Sequence, residues 1–151
     1  MNIMNKNNLI NQYALKMEQD SSDLFSRYPH VLSAYLFGSM AIGISNSDSD
    51  MDIAIRIDKS LASDSYLDLR IQITDDLEKH LGCKVDIVVL NTASLKMIHQ
   101  VIVNGRLLFS RDRDKELDYL VQKRKEYFDF KYYIDKDIRE MRSYFGVYEN
   151  A

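Results

Sequence analysis

Apolar positions recur along the chain with two periods, and each change of period marks a boundary between elements. Leu9, Tyr13, Met17, Leu24 and Tyr28 fall near helical spacing, which predicts a helix from Asn7 to about Tyr28, stopped by Pro29. The run VLSAYLFG that follows lies between Pro29 and Gly38 and is rich in aromatic and aliphatic residues, as strands are. Beyond a polar loop, MDIAIRI alternates strictly. Met51, Ile53, Ile55 and Ile57 take one face, while Asp52, Ala54 and Arg56 take the other, the pattern of a half-buried strand. Ser60 can cap a helix running to Leu81, with Leu67, Ile71, Thr74, Leu77 and Leu81 as its apolar stripe and Gly82 at its end. KVDIVVL reads as the next strand, Ser94 to Asn104 as a helix closed by Gly105, and RLLFS as a short final strand. From Asp112 to Phe145 the pattern becomes one long helix, with Leu117, Leu120, Val121, Phe128, Ile134, Ile138, Met141 and Phe145 near a 3.5-residue repeat.

Helices alternating with short strands predict an α/β domain carrying a terminal helical extension. The expected division is a core over 1–110 and a C-terminal helical extension over 111–151, packing on the core, on a partner, or on both, within a single domain overall. Composition agrees with a folded chain: 46% of the 151 residues are hydrophobic and 28% charged. A formal net charge of −3 argues against direct nucleic-acid binding, which draws on clustered Lys and Arg. There is no run of about 18 apolar residues, and MNIMNKNNLI lacks the layout of a signal peptide, so no membrane association and a cytoplasmic location are expected. Cys83, a lone cysteine, cannot form an internal disulfide. His30, His80 and His99 are scattered, none at zinc-ligand spacing, and read as surface or packing residues.

The chemistry concentrates between Leu36 and Ile57, in LFGSMAIGISNSDSDMDIAIRI. The stretch from Gly38 to Ser45, GSMAIGIS, imitates a phosphate-binding P-loop, but Ile44 stands where the lysine should be. Asp48, Asp50 and Asp52 alternate as in a calcium loop, yet the required Gly and Glu are replaced by Ile53 and Lys59. A third reading holds. Asp50 and Asp52 lie two residues apart where a strand begins, pointing to one side with roughly 6.6 Å of rise between them. Two such carboxylates suit Mg²⁺, which prefers oxygen ligands and completes its shell with waters and substrate phosphates. Gly38 permits close backbone approach and Ser39 offers a hydroxyl and an N–H at an expected helix start, a phosphate cradle. Asp86 is the one acid inside an apolar strand, and needs a metal, a cation or an exposed face. Asp48 reads as a loop-capping residue rather than a ligand.

Gly38 and Ser39, ten intervening residues, and Asp50-Met51-Asp52 resemble the GS-x10-DxD signature of the minimal nucleotidyltransferases of the DNA polymerase beta superfamily. The resemblance spans about Val31 to Phe109, and the short bacterial members most similar to it are the antitoxins of the HEPN/MNT toxin–antitoxin systems. It implies a polymerase-beta-like nucleotidyltransferase fold, a small mixed sheet flanked by helices with a long C-terminal helix. It further implies transfer of AMP from ATP to a tyrosine of a HEPN-domain RNase toxin, which neutralises it. In that frame Gly38 and Ser39 hold the triphosphate of ATP, Asp50 and Asp52 bind two Mg²⁺ ions, and Asp86 completes the metal site and assists deprotonation of the acceptor hydroxyl. Many relatives carry a basic residue at the place of Met40 or Ile42, so phosphate contacts here are either weaker or supplied by Arg56 or another cation.

The reaction class requires no nucleophilic Ser, His or Cys, because two metals can stabilise both the entering oxygen and the departing pyrophosphate in an in-line displacement. The alternatives are a small-molecule transferase of the aminoglycoside-modifying type, for which the chain is short, and a binding-only antitoxin, which has no need of three acids. The extension holds Tyr119, Tyr127, Phe128, Phe130, Tyr132, Tyr133, Tyr144, Phe145 and Tyr148, nine of the sixteen aromatics. Tyr127, Phe130 and Tyr133 fall off the main stripe, which predicts apolar surface beyond what one seam buries and a protein partner, the HEPN toxin, docked there.

Overall fold

Four short runs rich in β-branched, aliphatic and aromatic residues, of which only MDIAIRI alternates strictly, build a four-stranded mixed sheet, in the order β3-β2-β1-β4. The computed structural model describes residues 3–44 and 49–146, with side chains from residue 11 onward. The elements are α1 (Ile3–Ser26), β1 (Val31–Phe37), α2 (Ser39–Ile42), β2 (Met51–Ile57), α3 (Tyr66–Leu81), β3 (Val85–Val89), α4 (Leu95–Asn104), β4 (Arg106–Ser110) and α5 (Arg113–Tyr144). β1 runs antiparallel to β2 and to β4, while β2 and β3 are parallel. α3 supplies the crossover that a parallel pair needs.

Two cores hold the sheet between helices. On one face Leu36, Met51, Ile53, Ile55 and Ile87 meet Met17 and Phe25 of α1 and Ile73 and Leu77 of α3. On the other, Tyr35 and Ala54 pack beneath Leu90 and the α4 residues Ile98 and Val101, with Tyr119 and Leu120 of α5 against them. β2 is therefore not half-buried as its alternation predicts. Its second face is covered too, and Ala54 is as inaccessible as Ile53 or Ile55.

The helix expected to begin at Ser60 begins later. The Ser60 N–H donates to Asp58 Oδ1 at 3.0 Å inside a turn, and a short 3₁₀ turn over Ser63–Ser65 leads into α3. Its buried face is also rotated from the predicted stripe. Ile73, Leu77 and Leu81 are buried, with Tyr66 and Leu69 packed partly against the same core, whereas Leu67 and Ile71 are 61% and 52% exposed. Two apolar rows on this helix share Leu77 and Leu81, and periodicity alone does not choose between them.

Asp112 caps α5, its carboxylate accepting from the backbone of Asp114 and Lys115 at 3.1 Å each. The helix has 32 residues, about 48 Å of rise. Only its first turns belong to the core, and for the most part not through the predicted stripe: Leu117 and Val121 are exposed, whereas Tyr119, Leu120 and Tyr127, the last expected off the stripe and free for a partner, face the sheet and α4. Glu116 is buried, Tyr127 stacks on His99 of α4 with ring centres 3.7 Å apart, and every described residue from Phe128 onward is exposed. Among the described residues no helix is long and apolar enough to cross a membrane.

Candidate active site

β2 and β3 are parallel and in register, so Asp52 lies directly opposite Asp86 and both side chains leave the same face of the sheet. Asp52 also pairs across β2 with Phe37, the last residue of β1, which brings Gly38 against it. Gly38 has φ 71° and ψ −157°, a conformation essentially reserved for glycine. Its missing side chain is equally necessary, because a Cβ there would fall on the Asp52 carboxylate. The glycine of the loop thus makes room for an acid of the next strand, an additional reason for Gly beyond the close ligand approach that the sequence suggests.

Burial first, then the charges of Asp86 and Asp50, raise the Asp52 carboxyl above its ordinary range. The three acids are electrostatic neighbours. Asp50 precedes β2 and is exposed; Asp86 is half-exposed and lies 3.6 Å from the Arg70 guanidinium of α3. Among the described residues no three acid, His or Cys side chains converge closely enough to form a closed metal cluster. The donor set nevertheless fits a divalent cation: a carboxyl raised by burial and by neighbouring negative charge, as that of Asp52 is, is relieved by positive charge, and Mg²⁺ commonly takes only one or two carboxylates plus substrate phosphates.

Arg56 does not serve this site. It lies on the same face of β2 as Asp52, but further along, where its guanidinium pairs with buried Glu116 and covers the Tyr119 ring at 4.6 Å. The Glu116 carboxylate also accepts from Ser33 Oγ at 2.8 Å and from the Tyr35 hydroxyl, so Arg56 is committed to anchoring α5. Arg106 instead reaches α2, the short helix after Gly38, donating to the Ala41 carbonyl at 3.2 Å and pairing with Glu18 at 2.6 Å. Met40 is buried and Ile42 exposed, neither cationic. Sequence reading missed Arg70 and Arg106; Arg106 carried one signal, its place beside Gly105 at the start of a strand.

Asp48 and Ser45 lie outside the described residues. His80 pairs with Asp20 at 2.7 Å on the surface, and His99 is stacked between α4 and α5, as packing residues would be. Burial, with Glu78 and Asp50 nearby, pushes the Cys83 thiol upward, the opposite of what a nucleophile needs.

The sequence profile of the family described as polymerase beta, nucleotidyltransferase matches residues 19–114, which contain every element from β1 to β4 and Asp50, Asp52 and Asp86. The chain belongs to the polymerase beta nucleotidyltransferase family. A relative, the protein adenylyltransferase MntA of Shewanella oneidensis, is 34% identical over 90 residues. That alignment spans 59% of this chain and 61% of the relative's length. Among solved structures, a mutant of the MntA toxin–antitoxin pair superposes with a TM-score of 0.65 at 26% identity, covering 82% of this chain and 97% of that one. A toxin–antitoxin structure with AMP-PNP superposes at 0.61 and 26% identity, covering 87% and 97%. This nucleotidyltransferase therefore shares the four-stranded sheet and flanking helices of those structures, as its sequence pattern predicts.

Proposed function

We propose that the protein is a Mg²⁺-dependent protein adenylyltransferase antitoxin, transferring AMP from ATP to a tyrosine of a HEPN-domain toxin and so neutralising it. The observation that carries this reading is the register of Asp52 with Asp86, seated against the side-chain-free Gly38, in a chain similar to a named protein adenylyltransferase. The similar structure with AMP-PNP, a non-hydrolysable relative of ATP, supports ATP as donor, and the similar toxin–antitoxin pairs support a toxin as partner.

In this reading Gly38 and Ser39 hold the triphosphate, with Arg106 as the nearby cation, and Asp50, Asp52 and Asp86 are the residues that would hold the magnesium. Bound Mg²⁺ supplies positive charge for the pentacovalent phosphorus and the departing pyrophosphate. The chain's own residues do the positioning: Asp52, fixed between Phe37 and Asp86, sets the place of the α-phosphate, and Asp86 at the open edge of the sheet faces the incoming hydroxyl. We take residues 1–110 as the nucleotidyltransferase core and 111–151 as an extension whose first turns join that core. Its exposed outer half, bearing Phe128, Phe130, Tyr132, Tyr133 and Ile138, is the surface on which the toxin docks.

Labelled ATP, Mg²⁺ and cell lysate provide the test. A labelled protein band supports the reading; a labelled small molecule would favour an aminoglycoside-type transferase, and no labelled product would favour an antitoxin that acts by contact alone.

A further inference from the structure

Leu67 and Ile71 are apolar, lie one turn apart on α3, and are more than half exposed. Both line cavities. One, of about 440 Å³, lies between α3 and β3 and includes Tyr66, Leu67, Val88 and Ala93 in its walls. A second, of about 370 Å³, includes Leu67, Ile71, Thr74 and Val85. Arg70 and Asp86 line both, so the two are halves of one groove along the outer edge of the sheet, crossed by the Arg70–Asp86 pair.

We propose that this groove receives the acceptor tyrosine, its ring against Leu67 and Ile71 with Arg70 over its face and its hydroxyl at Asp86. The inference rests on the reading of the protein as a tyrosine adenylyltransferase and adds the place where the tyrosine binds. Sheet order carries the argument. Gly38 and Ser39 flank Asp52 from the β1 side, whereas the groove and Asp86 flank it from the β3 side. In-line displacement places the attacking oxygen and the leaving pyrophosphate on opposite sides of phosphorus. With the triphosphate on the β1 side, the acceptor enters from β3. The chemistry of the walls selects its kind: an apolar surface for a ring, a guanidinium that favours an aromatic face, and a carboxylate for a hydroxyl proton. β3 is the edge strand of the sheet, where an extended segment bearing that tyrosine can add past Val85, whose N–H donates to Glu78 Oε1 at 3.1 Å. In the step itself the phenolic oxygen bonds to the α-phosphorus as the bond to the bridging oxygen breaks. Pyrophosphate leaves with the bridging oxygen, and the phenol proton is released to water.

Two measurements on the full chain test it. Titration with N-acetyl-L-tyrosinamide should shift the methyl resonances of Leu67 and Ile71, and N-acetyl-L-alaninamide should not; unshifted methyls overturn the proposal. In transfer assays with the purified HEPN-domain protein, L67S/I71S, two surface changes checked by circular dichroism, should raise the acceptor KM roughly tenfold and leave the ATP KM unaltered. An unchanged acceptor KM, or a raised ATP KM in its place, overturns the assignment and would give the groove to the adenine base. A wild-type chain whose methyls shift with tyrosinamide but which adenylylates no tyrosine contradicts the underlying reaction while supporting the groove as a tyrosine site.

Discussion

Gly38 shows how much of the site one residue controls. Its backbone occupies a region that costs other residues roughly 1–3 kcal/mol, and its bare Cα is what lets Asp52 stand where it does. Gly38→Ala should lower the unfolding midpoint modestly and abolish AMP transfer, because the new methyl displaces the Asp52 carboxylate; urea unfolding beside an activity assay would show both. The glycine, the serine and the paired acids are legible in the sequence because their spacing is local, within fifteen residues from Gly38 to Asp52. The role of Arg56 is not, since its partner Glu116 lies 60 residues away. A charged residue alternating with core positions reads equally well as a phosphate ligand or as one half of a buried ion pair. Only the docking of α5 decides.

Among elements, α5 is fixed to the sheet at its first turns by Glu116. Ser33, Tyr35 and Arg56 converge on its carboxylate. Glu116→Ala would leave Arg56 without its counter-ion in a largely buried place, a loss of about 3–5 kcal/mol that a denaturant titration would reveal. Tyr119 beneath Arg56 adds a pH signature. Burial, against the lowering effect of Arg56, pushes its hydroxyl up to about 12. Between pH 10 and 12 the unfolded chain releases this proton while the folded chain keeps it, so stability falls as pH rises through that window. Tyr119→Phe should make the fall shallower, leaving the share of Tyr28 and Tyr35, whose hydroxyls burial also raises, as unfolding midpoints across alkaline pH would show. The same scale shows two elements whose orientation the sequence misreads: on α5 the predicted stripe positions Leu117 and Val121 are exposed, while Tyr119, Leu120 and the off-stripe Tyr127 pack inward. α3 offers two apolar rows, and the row facing outward, Leu67 and Ile71, is explained by the groove rather than by the core. The strands are legible as short apolar runs bounded by Pro29, Gly38, Gly82 and Gly105; a helix with apolar residues on more than one side leaves several choices of face.

For the whole molecule, the division of labour runs between a two-sided core and a helix that outgrows it. The outer half of α5, from Phe128, contributes nothing to the buried cores, yet carries Phe128, Phe130, Tyr132, Tyr133 and Ile138 in exposed positions. A chain ending at Tyr127 keeps Glu116, Tyr119 and the His99–Tyr127 stack. It should therefore fold and bind an ATP analogue as the full chain does but fail to copurify with the HEPN-domain toxin; retained copurification would remove the helix from the interface.

In the proposed function, AMP transfer to a tyrosine of the toxin depends on Asp50, Asp52 and Asp86. Its most direct measurement is mass spectrometry of the purified toxin after incubation with ATP, Mg²⁺ and either the wild-type chain or Asp52→Asn, whose volume is nearly the same. AMP on a toxin tyrosine with the wild type, reduced on the order of a hundredfold or more with Asp52→Asn while circular dichroism is unchanged, is the predicted result. An unmodified toxin, or modification that persists undiminished in Asp52→Asn, would contradict it.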